Sequence, residues 1–398
     1  MFNLKKKDLK ELDLILLFAT IALSIFGLVV LYSAYGGEIK PIMTQLFATI
    51  LGFVVILILC TMDLDVIKKS YKFVYGLMLA LLLMTLFLGR GLDEWGSNSW
   101  VYIGSFSFQP SEIAKVGIIF SLAAYLDIHK FDINDKKTMA KVIIMAGVPI
   151  GLILAQPDFG TAMVYVFFIA AMIFIGGISW KWIGIFVGAG LIVGFIVLTN
   201  LSGYRLDRIE NFLDPTRDTS GSNWQQQQGL IAIGSGMLKG RGYLQGTQSQ
   251  YGYIPEKETD FIFSVLAEEL GFIGSIIVII LFAVVIMRLV MIAKDSNNTF
   301  ITLMLTGIAG LLFIHIFENI AMTIGLMPVT GIPLPFFSYG GTFQLITLIN
   351  IGLALSASMQ KKQYDDGIVD EEAIRLIDYS MVKPEKINNK KEVINRLT

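Results

Sequence analysis

Four places in this chain put ionisable side chains within or beside apolar sequence, where charge is costly and by default marks function. Glu112 and Lys115 open an apolar run in Gln109-Pro110-Ser111-Glu112-Ile113-Ala114-Lys115. A spacing of three puts both on one helical face, either as a structural ion pair or as a pair lining a polar cavity. Asp158 follows Gln156-Pro157 where one apolar run ends and the next begins, so it either caps a helix or faces a site. His315, Glu318 and Asn319 fall at helical spacing inside a further run, which suits an interhelical hydrogen bond as well as a ligand. The chain has two histidines, His129 and His315, too few to favour histidine-based metal or triad chemistry. Asp260 is the decisive acid. It stands in Tyr253-Ile254-Pro255-Glu256-Lys257-Glu258-Thr259-Asp260-Phe261-Ile262-Phe263, where a long hydrophilic segment meets an apolar run, and Thr259 or Asp260 is expected to cap the helix that follows. Asp260 also heads a stripe of Ser264, Ala267, Gly271 and Gly274 on one helical face. Close helix packing explains that stripe, and so does a groove admitting a lipid or glycan beside a carboxylate.

The elements that must hold these groups are membrane helices. Of 398 residues 55% are hydrophobic and only 16% charged, against about 25% in an ordinary soluble domain. Mean hydropathy is +0.68. A net charge of −1 gives no basic excess to suggest nucleic acid, and a single cysteine, Cys60, excludes a disulfide framework. Apolar windows near the 20 residues or so that a bilayer core requires fall at roughly 14–35, 42–62, 70–88, 111–127, 138–156, 158–176, 180–200, 261–292, 299–325 and 337–359. The expected fold is therefore an all-α polytopic membrane domain of about ten spans over residues 1–360, followed by a cytoplasmic tail, 361–398. The first window is too long for a signal-peptide core and is expected to be a retained helix.

One set of alternate loops carries Lys5, Lys6, Lys7, Lys10, Lys68, Lys69, Lys72, Lys130, Lys136, Lys137, Lys141, Lys181, Lys294, Lys361 and Lys362. The opposite short loops hold little beyond Lys40 and Arg90. Both termini are thus expected in the cytoplasm and the long segment 201–260, between spans seven and eight, outside. That segment carries Arg205, Arg208, Arg217, Lys239, Arg241 and Lys257, whose charges suit anionic ligands, guanidinium forks matching phosphate oxygens well. Gly229, Gly234, Gly236, Gly240, Gly242 and Gly246 let backbone amides approach a bulky ligand, while Gln245, Gln248 and Gln250 suit sugar hydroxyl and acetamido groups. Its length and the apolar patch Leu230-Ile231-Ala232-Ile233 point to a folded lid or re-entrant element.

Several strings in order from about residue 95 to 345 resemble the SEDS family (shape, elongation, division and sporulation), in its RodA-like branch. They are Gln109-Pro110-Ser111-Glu112, Gln156-Pro157-Asp158, Gly234-Ser235-Gly236, Gly246-Thr247-Gln248-Ser249-Gln250, Pro255-Glu256, Thr259-Asp260-Phe261-Ile262-Phe263, Ala267-Glu268-Glu269-Leu270-Gly271 and Gly331-Ile332-Pro333-Leu334-Pro335-Phe336-Phe337-Ser338-Tyr339-Gly340-Gly341. Met237 departs from a position where the family commonly has a further glycine, and the tail after Gln360 is longer than many. The resemblance implies a peptidoglycan glycosyltransferase that elongates glycan strands from lipid II on the outer face of the cytoplasmic membrane. It implies Asp260 as the essential acid, Glu112, Lys115 and Asp158 in a polar cavity, and Arg208 and Arg241 as basic positions of the long loop. Gln248, Ser249, Glu256 and Ser338, within the matching strings, join them as candidate substrate-binding residues. The implied partners are a class B penicillin-binding protein acting as transpeptidase and the rod-complex proteins MreC and MreD, besides lipid II, the growing glycan strand and membrane lipids.

The chemistry requires little of the protein. Pyrophosphate leaves readily, so one base suffices to take the proton of the acceptor 4-hydroxyl as it attacks the anomeric carbon with inversion, unlike the carboxylate pair of glycoside hydrolysis. Loop cations, or a divalent cation such as Mg or Mn, would offset charge growing on the leaving group. Asp63-Leu64-Asp65 mimics a nucleotide-sugar metal motif but falls in a loop expected on the cytoplasmic side, so it reads as a helix end. Two rival readings stand: a transporter that flips the polyprenyl-linked precursor, and a non-catalytic scaffold for the penicillin-binding protein.

Overall fold

A computed structural model describes residues 11–91, 97–104, 106–200 and 222–360 of the chain. The tail 361–398, expected in the cytoplasm, and the stretch that holds Arg205, Arg208 and Arg217 lie outside the described residues. The first helices are α1 (Leu14–Ala34), α2 (Ile39–Thr61), the short α3 (Leu64–Lys68) and α4 (Tyr71–Leu88). A small antiparallel hairpin of β1 (Val101–Ile103) and β2 (Phe106–Phe108) then leads into α5 (Pro110–Ile128), α6 (Lys136–Ala155), α7 (Phe159–Ile175) and α8 (Trp180–Asn200). The long segment contributes α9 (Ser222–Ser235) and α10 (Thr247–Gln250). The chain then forms α11 (Ile262–Lys294), α12 (Thr299–Thr323) and α13 (Gly341–Gln360).

Every expected window overlaps one of these helices. Seven of them are long and apolar enough to cross a membrane: α1, α2, α4, α6, α11, α12 and α13. Phe159–Ile175 and the first part of α8 are apolar but shorter, and α5 carries Glu112, Lys115 and Asp127 along its length. Large apolar side chains such as Phe18, Phe47, Leu57, Phe73 and Phe87 stand exposed on the outside of the bundle, where lipid is their natural solvent. The chain is an integral membrane protein.

Two helices form the centre. Nearly all of α5 is buried, and α12 packs against α5, α7 and α11. At one end of the bundle the helices are tied by charge: Lys68 pairs with Asp127, and Arg288 pairs with Asp13, which also caps α1. Asp63 caps α3 through the Asp65 amide, and Asp65 accepts from Asn298, so this acid pair is a helix end as expected. The opposite end carries the hairpin, α9, α10 and the α12–α13 connection.

The expectation of an eighth span capped by Thr259 or Asp260 needs correction. The helix cap is Phe261, without a side-chain bond, while the Thr259 hydroxyl bonds to Glu256. Ten residues on from that cap, Gly271 adopts φ 67° and ψ −165° and breaks the helix. A continuous helix directs the amides of residues 272 and 273 to the carbonyls of 268 and 269. Here Phe272 and Ile273 donate to Met237 O (2.9 Å) and Leu238 O (3.1 Å), and the carbonyls of Glu268 and Glu269 accept from the amides of Arg241 (2.9 Å) and Gly242 (3.1 Å). The turn 237–242 is thus inserted into the helix and completes its hydrogen bonding, a necessity where no water can substitute. The small-residue stripe serves this insertion: a side chain at Gly236 would run into the Ala267 carbonyl, one at Gly240 into Glu269, and one at Gly271 into Gly240. Within the stripe, Gly271 packs on the long loop.

Candidate functional site

Asp260 sits in a turn, between Pro255 and α11, and is half-buried. The turn is built on Glu256, whose φ of 50° is a strained conformation for a side-chain-bearing residue and whose carbonyl accepts from the amides of Thr259 (3.2 Å) and Phe261 (3.1 Å). The α12–α13 connection is stitched along it as a strap. Tyr339 N donates to Glu258 O (2.7 Å), and the Ser338 hydroxyl donates to Thr259 O (2.5 Å) while accepting from Leu334 N (2.8 Å). The Asn319 amide donates to both Asp260 O (2.9 Å) and Ile332 O (2.8 Å). Gly331, at φ +74°, lies where a β-carbon would stand 3.5 Å from Asp260 Oδ2.

The same strap leads to the second charged group. His315 Nδ1 lies 3.2 Å from Pro333 O, and His315 Nε2 lies 2.9 Å from Lys115 Nζ. A carbonyl only accepts and an ammonium only donates, so His315 is the neutral tautomer with its proton on Nδ1. Lys115 Nζ also donates to Glu112 Oε1 at 2.6 Å, and both side chains are nearly inaccessible (1% and 7%). The spacing of three therefore yields a buried pair. Glu318, one turn from His315, is buried as well, with its Oε2 lacking a hydrogen-bond partner. The α5 start is held from the other side by Tyr165, whose hydroxyl donates to Ser111 O (2.7 Å).

Asp158 caps α7 through Thr161 N (3.1 Å) and accepts from Gln109 Nε2 (2.9 Å). Burial pushes its carboxyl above the usual carboxylate range, against the opposing effects of those bonds and of the Lys115 charge. At the second position of α7, Gly160 packs on Thr330 O and Ile332. The strap consequently touches Asp260, the Lys115 pair through His315, and the helix that Asp158 caps. The strap thus runs past all three groups, which stand up to about two hundred residues apart in the chain.

The long-loop residues divide. Arg241 is exposed, with Nε on the Ser235 hydroxyl (3.0 Å) and Nη1 on the Thr247 hydroxyl (3.2 Å), its backbone fixed in the α11 break. Ser249 is fully buried; its amide (2.9 Å) and that of Gln248 (2.7 Å) both donate to the Glu268 carboxylate. Glu269 accepts from Ser33 Oγ (2.5 Å) and Gln250 Nε2 (2.9 Å). The Gly246–Gln250 string is thereby docked on the two acids by its backbone and Gln250. Lys257 donates to Ser249 O (2.5 Å) and is tied into the same loop. Glu256 accepts from the Thr259 hydroxyl (3.1 Å) and remains exposed. Arg208 lies outside the described residues. Glu268, Glu269 and the Gly271 break gained no role from sequence; the adjacent acids in an apolar run were the available signal for the first two, while Asn319 makes the kind of hydrogen bond its place in an apolar run suggested.

Fold and site together define a class: a polytopic helical membrane protein with a buried Glu112–Lys115 pair and a half-buried aspartate on a strap-bound turn. The chain belongs to the FtsW/RodA/SpoVE family, whose model, described as a cell cycle protein, matches residues 13–363. It is 32% identical to the peptidoglycan glycosyltransferase MrdB of Escherichia coli (strain K12) over 91% of this chain and 97% of that one. It is 34% identical to stage V sporulation protein E of Bacillus subtilis (strain 168) over 87% and 96%. Among solved structures, it is similar to a chain of one described as "structural coordination of polymerization and crosslinking by a peptidoglycan synthase complex" (TM-score 0.76, 31% identity, 88% and 99% of the two chains). It is also similar to the rod shape determining protein RodA of Thermus thermophilus (TM-score 0.66, 29% identity, 88% and 97%).

Proposed function

We propose that this protein is a peptidoglycan glycosyltransferase that elongates glycan strands from lipid II at the outer face of the cytoplasmic membrane, in cell-wall synthesis and rod-shape maintenance. The observation that carries the reading is the placement of Asp260: a half-buried aspartate on a turn whose backbone is bonded by Asn319 and by the strap, the same strap that accepts from His315 beside the Lys115 pair. Support comes from the relatives named as peptidoglycan glycosyltransferases at nearly full length.

In this reading Asp260 accepts the proton of the acceptor 4-hydroxyl as that oxygen attacks the anomeric carbon of the donor, and pyrophosphate leaves with inversion. A positioned base of this kind contributes on the order of 10²–10⁴ in rate. Arg241, anchored but exposed, faces the charge that grows on the leaving pyrophosphate, with Arg208 as a second candidate. Glu112, Lys115 and Asp158 hold the polar floor of the site; Gln248, Ser249 and Ser338 hold the loop and strap that shape it. Both termini lie in the cytoplasm, and the polyprenyl tails lie in the bilayer against the bundle. A class B penicillin-binding protein supplies transpeptidation, with MreC and MreD as further rod-complex partners; the synthase-complex likeness supports the first of these.

The test is polymerisation in detergent, where no membrane separates two compartments. Purified protein given lipid II, alone and with a class B penicillin-binding protein blocked in transpeptidation, should yield glycan strands. Absence of polymer in both arms, with lipid II translocation in vesicles, would favour the transporter reading instead.

A further inference from the structure

Asp260 precedes the first turn of α11, so no helix fixes its backbone. Its carbonyl is held from elsewhere in the chain, by Asn319. Both hydrogens of that side-chain amide are used, one on Asp260 O at 2.9 Å and one on Ile332 O at 2.8 Å. Asn319 is completely buried on the central helix α12, one turn beyond His315, which holds the next strap residue through Pro333 O. The amide therefore sets the distance between the Asp260 turn and the strap, and so the gap between the carboxylate and Gly331. A carbonyl oxygen needs a donor, and two carbonyls so close together need two donors on one small planar group. Asparagine supplies this; no other residue of that size does.

We infer that Asn319 is a positioning residue for Asp260, holding the carboxylate at its working distance from the strap without touching substrate. The inference rests on the proposed role of Asp260 as the base. A shift of about 1 Å in a reacting group costs on the order of 10² in rate, so loss of the bridge should lower turnover and leave lipid II binding intact.

The experiment uses the full-length protein in detergent with lipid II as the probe, and measures kcat, KM and Tm for the wild type, Asn319→Asp, Gly331→Ala and Asp260→Asn. Asn319→Asp keeps the shape and replaces both donors by acceptors that face two carbonyls. It should lower kcat by about 10²-fold with KM within about threefold of wild type. Gly331→Ala keeps Asn319 but puts a methyl group beside Asp260 Oδ2 at a φ of +74°, straining the strap next to Ile332, so it should give the same split by disturbing the same spacing from the strap side, and it carries the test if Asn319→Asp does not fold. Unchanged kcat in either folded variant, or a raised KM at unchanged kcat, would overturn the positioning role. Polymerisation by Asp260→Asn at the wild-type rate would overturn the base assignment itself, a separate result.

Discussion

Replacing Lys115 with methionine probes the buried centre most sharply. Methionine keeps a long unbranched stem and removes the ammonium, so packing is largely retained. Two acceptors are then orphaned: Glu112 Oε1, which loses a donor at 2.6 Å, and His315 Nε2, which loses one at 2.9 Å. Water has no ready access, since the Glu112 side chain is only 7% exposed. Removing one partner of a buried pair costs about 3–5 kcal/mol because the remaining charge is uncompensated. At about 1.4 kcal/mol per tenfold, that lowers the folded-to-unfolded ratio by a factor on the order of 10²–10⁴. Glu112→Gln with Lys115→Met removes both charges and should recover most of that loss, since a neutral pair has little desolvation to overcome. Polymerisation should behave differently: each single variant is impaired and the double is no worse than either, the signature of residues acting as one unit. Unfolding of purified protein by denaturant in mixed micelles, run as a double-mutant cycle alongside polymerisation assays, measures both. A Lys115→Met loss under about 1 kcal/mol, or a double variant whose loss equals the sum of the singles, would refute the reasoning.

Two further outcomes follow from the geometry. Gly240→Ala adds a β-carbon against the Glu269 carbonyl at a φ of +81°, so the inserted turn should leave the α11 break. Losing its four bonds costs roughly 2–6 kcal/mol, and trypsin should then cleave after Lys239 and Arg241 much faster than in the wild type; an unchanged cleavage rate would contradict the insertion. Asp158, whose carboxyl burial raises, binds its proton more tightly in the folded protein than in the unfolded chain. Its stabilising contribution is therefore complete below the ordinary carboxylate pKa of about 4 and is lost as pH rises through the folded value. Asp158→Asn should flatten that fall in Tm, and a variant whose Tm follows pH in parallel with the wild type would contradict the assignment.

The spans were legible because hydropathy and length are local properties. The windows 111–127 and 158–176 meet their helices, Pro110–Ile128 and Phe159–Ile175, within a residue or two. Pro110 marks a start, and Asp158 caps as its residue type suggests. The spacing of Glu112 and Lys115 likewise foretold their pairing. What sequence hid is what depends on distant partners. Gly271 looked like one more small residue in a packing stripe, because nothing nearby announces that residues 237–242 enter the helix there. The Thr259 or Asp260 cap failed because Glu256 and the strap compete for that turn, leaving Phe261 at the cap position. Asn319 and His315 were noticed as polar residues in lipid, but their acceptors, Asp260 O, Ile332 O and Pro333 O, are backbone atoms that no side-chain pattern reveals. Glu268 and Glu269 hold the Gly246–Gln250 string by bonds to backbone amides and to Ser33, again outside any periodic signal.

The central claim is that a single carboxylate, held at the mouth of the bundle by loop and strap, does the proton transfer of glycan synthesis. Incubating lipid II with equal amounts of folded wild type and folded Asp260→Asn, and resolving the products by strand length, addresses it directly. The account predicts strands from the first and unreacted lipid II from the second, at matched Tm and matched lipid II binding. Strands of the same length, formed at the same rate by both, would contradict it.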